Sequence, residues 1–182
     1  LGNNTTDNSY YPVKVQNAEE IMQISAGDNY LVMLDVTGRV LSVGYNNYGQ
    51  FGVNNSANYY LPVEMQDTDG NALYGVREIS AGSSHTILIK EDGSVWGVGY
   101  NNNGQLGDGT TGGVSLSKVQ VKSPDGNGFL ENIIAVAAGN SFSMALDKDG
   151  NVYTWGYNGY GNLGLGDSSY RTLPVKVEGL SG

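Results

Sequence analysis

The chain has no cysteine, a single histidine, four prolines, and nine basic residues against eighteen acidic ones. Without cysteine there are no disulfides, thiolate metal sites or thiol nucleophiles. With one histidine, His85, a Ser-His-Asp set has only one candidate base, and no serine is singled out by spacing. The net charge of −9 repels phosphate, so nucleic acid and anionic membrane surfaces are not expected partners. No apolar run approaches about 18 residues, so no inserted membrane segment is expected. Charged residues make up only 15% of the chain, which is not the composition of a disordered segment. Leu1-Gly2-Asn3-Asn4 lacks an initiator Met and does not resemble a signal peptide, so it reads as a cut end.

What the chain has in excess is glycine, 28 of 182 residues, and the glycines recur. Ile24-Ser25-Ala26-Gly27, Ile79-Ser80-Ala81-Gly82 and Val136-Ala137-Ala138-Gly139 fall at intervals of 55 and 57 residues. Gly38, Gly93 and Gly150 keep those intervals, as do Gly44, Gly99 and Gly156. A third landmark closes each copy: Gly49-Gln50-Phe51-Gly52, Gly104-Gln105-Leu106-Gly107 and Gly161-Asn162-Leu163-Gly164. A period of this length marks stacked supersecondary units, none of which can bury its apolar face alone.

Within one unit the pattern is all-β. His85 to Ile89 is an apolar, β-branched run, and Asp92-Gly93 marks a hairpin into Val95–Gly99. A polar loop follows, then a fourth strand around Leu116 to Val121 that crosses toward the next unit. Asn17 to Met22 is a turn at most. Four short antiparallel strands per period describe a propeller blade. Leu1-Gly2 precedes Val13 by the same distance that Leu163-Gly164 precedes Val175, so the two ends are equivalent. The expected organisation is one repeat domain of about three and a third repeats, a partial or oligomer-completed propeller. Residues 1–20 end a preceding repeat, and 21–66 and 67–121 are repeats one and two. Residues 122–182 are repeat three plus the start of the crossing strand of a next one.

These motifs resemble the regulator of chromosome condensation repeat. The matching residues are Ala81-Gly82, His85, Asp92-Gly93, Trp96, Gly99 and Gly104-Gln105-Leu106-Gly107, with counterparts in the other copies. The resemblance covers almost the whole chain and implies a β-propeller. It implies function weakly, because the family includes a nucleotide exchange factor, a secreted inhibitor of β-lactamases and many bacterial surface proteins. The Asn-, Tyr- and Gly-rich loops look like those of the bacterial extracellular members.

Candidate functional residues lie in the loops. Gly-Tyr-Asn recurs in every copy and points to a fold role, whereas Tyr48, Asn103 and Tyr160 differ between copies and are free to bind. Two insertions precede the second and third Ala-Gly, and equivalent insertions in a repeat array map to one face. They supply Asp67, Asp69, Asn71 and Tyr74, then Asp125, Asn127 and Phe129. Leu73 and Phe129 either fold back on a blade or stay free for contact. Asp67-Thr68-Asp69-Gly70-Asn71 invites a calcium reading but completes no EF-hand pattern. His85 faces Tyr30 and Phe142 in the other copies, a swap that fits a packed ring better than catalysis. The expected protein is a non-enzymatic, extracellular or cell-surface bacterial scaffold that binds a protein partner or copies of itself. No cofactor or metal is expected. Tyr-Asn surfaces also suit carbohydrate. The alternative is a regulator of a partner enzyme, by nucleotide exchange or inhibition.

Overall fold

A computed structural model describes residues 1–179. Those residues form twelve strands and no helix. The first sheet holds β1 (Ile21–Ala26), β2 (Tyr30–Asp35), β3 (Val40–Gly44) and β4 (Tyr59–Glu64). The second holds β5 (Val76–Ala81), β6 (His85–Lys90), β7 (Val95–Tyr100) and β8 (Val114–Gln120). The third holds β9 (Ile133–Ala138), β10 (Phe142–Asp147), β11 (Val152–Gly156) and β12 (Arg171–Lys176). Each sheet is an antiparallel meander in chain order. The inner strands β1, β5 and β9 lie next to one another, and β4, β8 and β12 form the outer edge.

The middle strands of the second sheet are buried on both faces because a sheet covers each. Val32, Leu34 and Val40 of the first sheet pack in one cluster with Val76, Ile79, Leu88 and Val98 of the second. Ile87, Ile89 and Val95 of the second pack with Ile133, Ala145 and Trp155 of the third. A third, smaller cluster closes the near side of the first sheet, where Met33, Leu41 and Val43 lie under Val15 and Ala18. The first two Ala-Gly landmarks sit where neighbouring backbones meet. A Cβ on Gly27 would strike the Tyr30 ring and stand 2.5 Å from the Gly82 carbonyl oxygen.

Two expectations change in detail. The end of the third unit, read from the sequence as running into the start of a next crossing strand, holds Arg171–Lys176, which pairs with β11 as the outer strand of the third sheet. Likewise β8 completes its own sheet, and the link that crosses is the inserted loop after it. Residues 1–20 form no strand, since they have no partner strand of their own. They still keep the repeat's contacts: Gln16 N–H bonds to Gly2 O at 2.9 Å, as Gln66 does to Gly52 and Lys122 to Gly107.

Candidate binding surface

Polar side chains stitch the inner strands together across the seams. Gln23 binds Ile79 through both backbone groups, donating to O and accepting from N–H at 3.0 Å each. Ser25 Oγ accepts from Ala81 N–H at 2.9 Å. One seam later, Glu78 and Ser80 accept from Val136 and Ala138 at 2.9 Å each, and Arg77 donates to Ile133 O. Deeper in, the Tyr30 hydroxyl donates to His85 O at 2.5 Å and meets Thr86 Oγ1 at 3.3 Å. His85 Nε2 meets Ser143 Oγ at 3.0 Å in the second seam. Thr86 and Ser143 then donate back to Gln50 O and Gln105 O.

His85 is fully buried, as its exchange with Tyr30 and Phe142 between copies suggests. Burial pushes its pKa from 6.5 to about 4, so the ring is neutral. It sits in a seam among apolar side chains, with no carboxylate hydrogen-bonded to it.

The recurring Gly-Tyr-Asn is a clamp. Asn46, Asn101 and Asn158 are buried, and each accepts from a backbone N–H five residues on, at 2.9–3.0 Å. Their amides donate onward to Asn55 O, Thr110 and Asp167. The loops are therefore held in place, with Tyr48 and Asn103 half-buried and Tyr160 outside. Tyr160 is 90% exposed, and Tyr48 packs edge-on against Tyr100 of the next sheet at 5.1 Å. The N–H of Asn103 bonds to the Gln105 side chain at 3.0 Å.

The inserted loops are compact turns. Asp67 Oδ1 accepts from the N–H of Asp69 and Asn71 at 2.9 Å each, and Asp125 Oδ1 accepts from Asn127 at 3.1 Å. These bonds hold both carboxyls below the usual range, chiefly through the Asn71 N–H for Asp67 and the Ser123 hydroxyl for Asp125. The turn thus engages Asp67 Oδ1, and no cluster of three or more His, Cys, Asp or Glu side chains placed to hold a metal occurs among the described residues. Leu73 folds back and is buried. In the second insertion Leu130 does so, while Phe129 stays half exposed, as does Tyr74.

The antiparallel order sorts the sequence-chosen residues into two groups. Tyr48, Asn103 and Tyr160 follow the third strand of each sheet, at the end where Gly27, Gly82 and Gly139 lie. Asp67, Asp69, Asn71, Tyr74, Asp125, Asn127 and Phe129 follow the fourth, at the opposite end. The structure does not bring them together. The seam residues Gln23, Ser25, Thr86 and Ser143 were not singled out from the sequence, although alternating polar residues in Gln23–Ala26 and Glu78–Ala81 were the available signal.

Models of the regulator of chromosome condensation (RCC1) repeat match residues 37–89, 92–146 and 149–182, and a second model of the same repeat matches 21–50, 76–105 and 133–162. The chain belongs to the RCC1 repeat family. Among RCC1-repeat relatives, the ultraviolet-B receptor UVR8 of Arabidopsis thaliana is 32% identical over 93% of this chain and 37% of its own length. The human E3 ubiquitin-protein ligase HERC2 is 30% identical over 92% of this chain but 3% of its own. The chain thus spans well under half of these relatives. The crystal structure of human WBSCR16 superposes with a TM-score of 0.76 at 20% identity, covering 92% of this chain and 40% of that one. Yeast Prp20p gives 0.72 at 22% identity, over 87% of this chain and 38% of that one. These RCC1-type likenesses establish the β-propeller fold, here as three blades.

Proposed function

We propose that the chain is a non-enzymatic protein-binding module. The observation that carries this reading is the pairing of rigid loops with exposed aromatics: buried Asn46, Asn101 and Asn158 clamp loops whose outermost residues include Tyr160. An aromatic on a pre-ordered loop buries large area without the entropy cost of ordering the loop. The net charge of −9 favours a basic partner. The Asn-, Tyr- and Gly-rich loops are the support for placing the module outside a bacterial cell, and self-association is one form that protein binding takes here. A second reading is a regulator of a partner enzyme. The mouse X-linked retinitis pigmentosa GTPase regulator is 29% identical over 85% of this chain, and yeast Prp20p is described through its binding to Gsp1p and histones.

Titration calorimetry against core histones as the basic probe, in wild type, Tyr160→Ala and Phe129→Ala, tests the module reading. We expect binding that weakens about tenfold or more in one variant only, which identifies the binding end. Binding that is absent, or unchanged in both variants, would contradict it.

A further inference from the structure

The outer rim of the first sheet holds a hollow that the repeat pattern does not require. Its volume is about 290 Å³, just under the ~300 Å³ at which ligand pockets begin, so it suits one side chain or a small ion. Val53, Val63 and the Tyr59 ring form its apolar side, and Asn55 and Glu64 its polar side. Gly70 and Ala72 of the first insertion form the remaining wall. Tyr59 and Val63 also pack on the cluster shared by the first and second sheets, so the hollow belongs to a seam inside the chain. Its lining is peculiar to the first repeat. Glu64 pairs with β3 where the other sheets have Gln120 and Lys176, and Ser115 and Arg171 take the place of Tyr59.

The charges around the hollow favour a cation. Arg39 bridges two carboxylates, Asp35 through Nε at 2.8 Å and Glu64 through Nη1 at 2.6 Å, which leaves one negative charge in excess. Arg39 engages one oxygen of Glu64, and among the described residues nothing bonds the other. With one oxygen taken, Glu64 cannot offer the two-oxygen fork that a second guanidinium favours, whereas an ammonium needs a single acceptor. Asp67 and Asp69 of the insertion add negative charge close to Gly70 in the chain. The same rim already seats one ammonium. Lys118 Nζ donates to Gln66 O at 3.1 Å and lies 5.8 Å from the centre of the Trp96 ring, an oxygen acceptor and an aromatic face together. The hollow repeats that pairing with Glu64 and Tyr59, and no lysine of the chain lines it.

We propose that this hollow is a seat for a lysine side chain of a partner protein. The ammonium donates to the unbonded oxygen of Glu64 beside the Tyr59 ring, and the alkyl stem lies along Val53 and Val63. The identity of the partner as a protein rests on the protein-binding reading, whereas the seat for an ammonium rests on the hollow alone. Glu64 is partly exposed, so one lysine binds weakly and selects for a basic segment without holding it by itself.

Backbone-amide NMR titration of the full chain with Nα-acetyl-lysinamide tests this, and the amide spectrum reports that each variant is folded. We expect saturable shifts confined to Val53, Asn55, Val63, Glu64 and Ala72, with a dissociation constant on the order of millimolar. Glu64→Gln removes the charge and Ala72→Leu fills the space, and each should weaken binding about threefold or more. Acetylating the probe at Nε should do the same. Shifts that are absent, that never saturate, or that persist unchanged in both variants overturn the proposal. So do equal shifts with calcium chloride at matched ionic strength, which would mean that the hollow takes any cation. Wild type that binds core histones but not the probe would sink the seat and leave the protein-binding reading standing. Wild type that binds the probe but no histone would sink that reading and leave the seat.

Discussion

The two internal seams have the same geometry and different chemistry. At the first, a tyrosine hydroxyl reaches across to the next sheet and Gln23 and Ser25 tie the inner strands. At the second, His85 takes the tyrosine's place, Glu78 takes the glutamine's, and Trp155 fills the outer part by donating from Nε1 to Gln105 O at 2.9 Å. What the two seams share is therefore the stacking position, filled at each by a ring with a polar atom at its tip. The second seam carries a titratable ring and the larger indole. It should respond to acid where the first does not, and its indole is the larger side chain to truncate.

Truncating the indole is the largest perturbation that separates the seams. Trp155→Ala removes a fully buried ring and should cost about 3–5 kcal/mol in denaturant unfolding. A loss under about 1 kcal/mol would mean that the second seam is not a closed core.

Acid comes next. His85 has a pKa of about 4 in the fold against 6.5 when free, so the unfolded chain takes up the proton first. Stability from this group is complete above pH 6.5 and declines as pH falls toward 4, by up to about 3 kcal/mol. Burial alone would raise the Asp35 carboxyl, but hydrogen bonds from Thr37 and Arg39 outweigh it and hold the pKa at about 2. Its stabilising effect is present above the unfolded value of 3.8 and is lost as pH falls toward 2, below the histidine window. His85→Phe, the residue that the third repeat already uses, should remove the decline between pH 6.5 and 4. An unchanged slope in that variant would assign the decline elsewhere.

At the first seam, Tyr30→Phe deletes a buried hydroxyl and should cost about 1–2 kcal/mol with no new pH dependence. The smallest effects are the rungs. Ser25→Ala and Ser80→Ala should each cost about 1 kcal/mol or less, and nearly the same amount as each other, because both accept one backbone N–H at 2.9 Å. A large difference between them would break the equivalence of the seams.

The all-β blades were legible because glycine spacing and Asp-Gly turns are local signals, and the clamp was visible as Gly-Tyr-Asn in every copy. The ownership of the outer strands was harder to read. Sequence periodicity gives the length of a repeat but not where one sheet stops, so the boundary between the third unit's outer strand, Arg171–Lys176, and a next unit was not drawn. Residues chosen for binding fell at two opposite ends, because loops after the third and fourth strands point opposite ways in an antiparallel meander. Phe129 and Leu130 are adjacent and comparably apolar, and only the packing under Val121 shows that Leu130 is the anchor. The seam residues were missed because their partners lie 55 to 58 residues away.

Residue-resolved hydrogen exchange on the wild-type chain tests the difference between covered and open faces most directly. Ile79, Ala81, Val136 and Ala138 donate their N–H groups across a seam, whereas Ile24 and Ala26 hold the equivalent positions on β1, whose outer side meets no sheet among the described residues. The first four should be strongly protected and the last two should exchange fast, at every protein concentration. Equal protection of Ile24 and Ala26 would contradict this, because it would mean that backbone groups outside the seams are held as firmly as those within them.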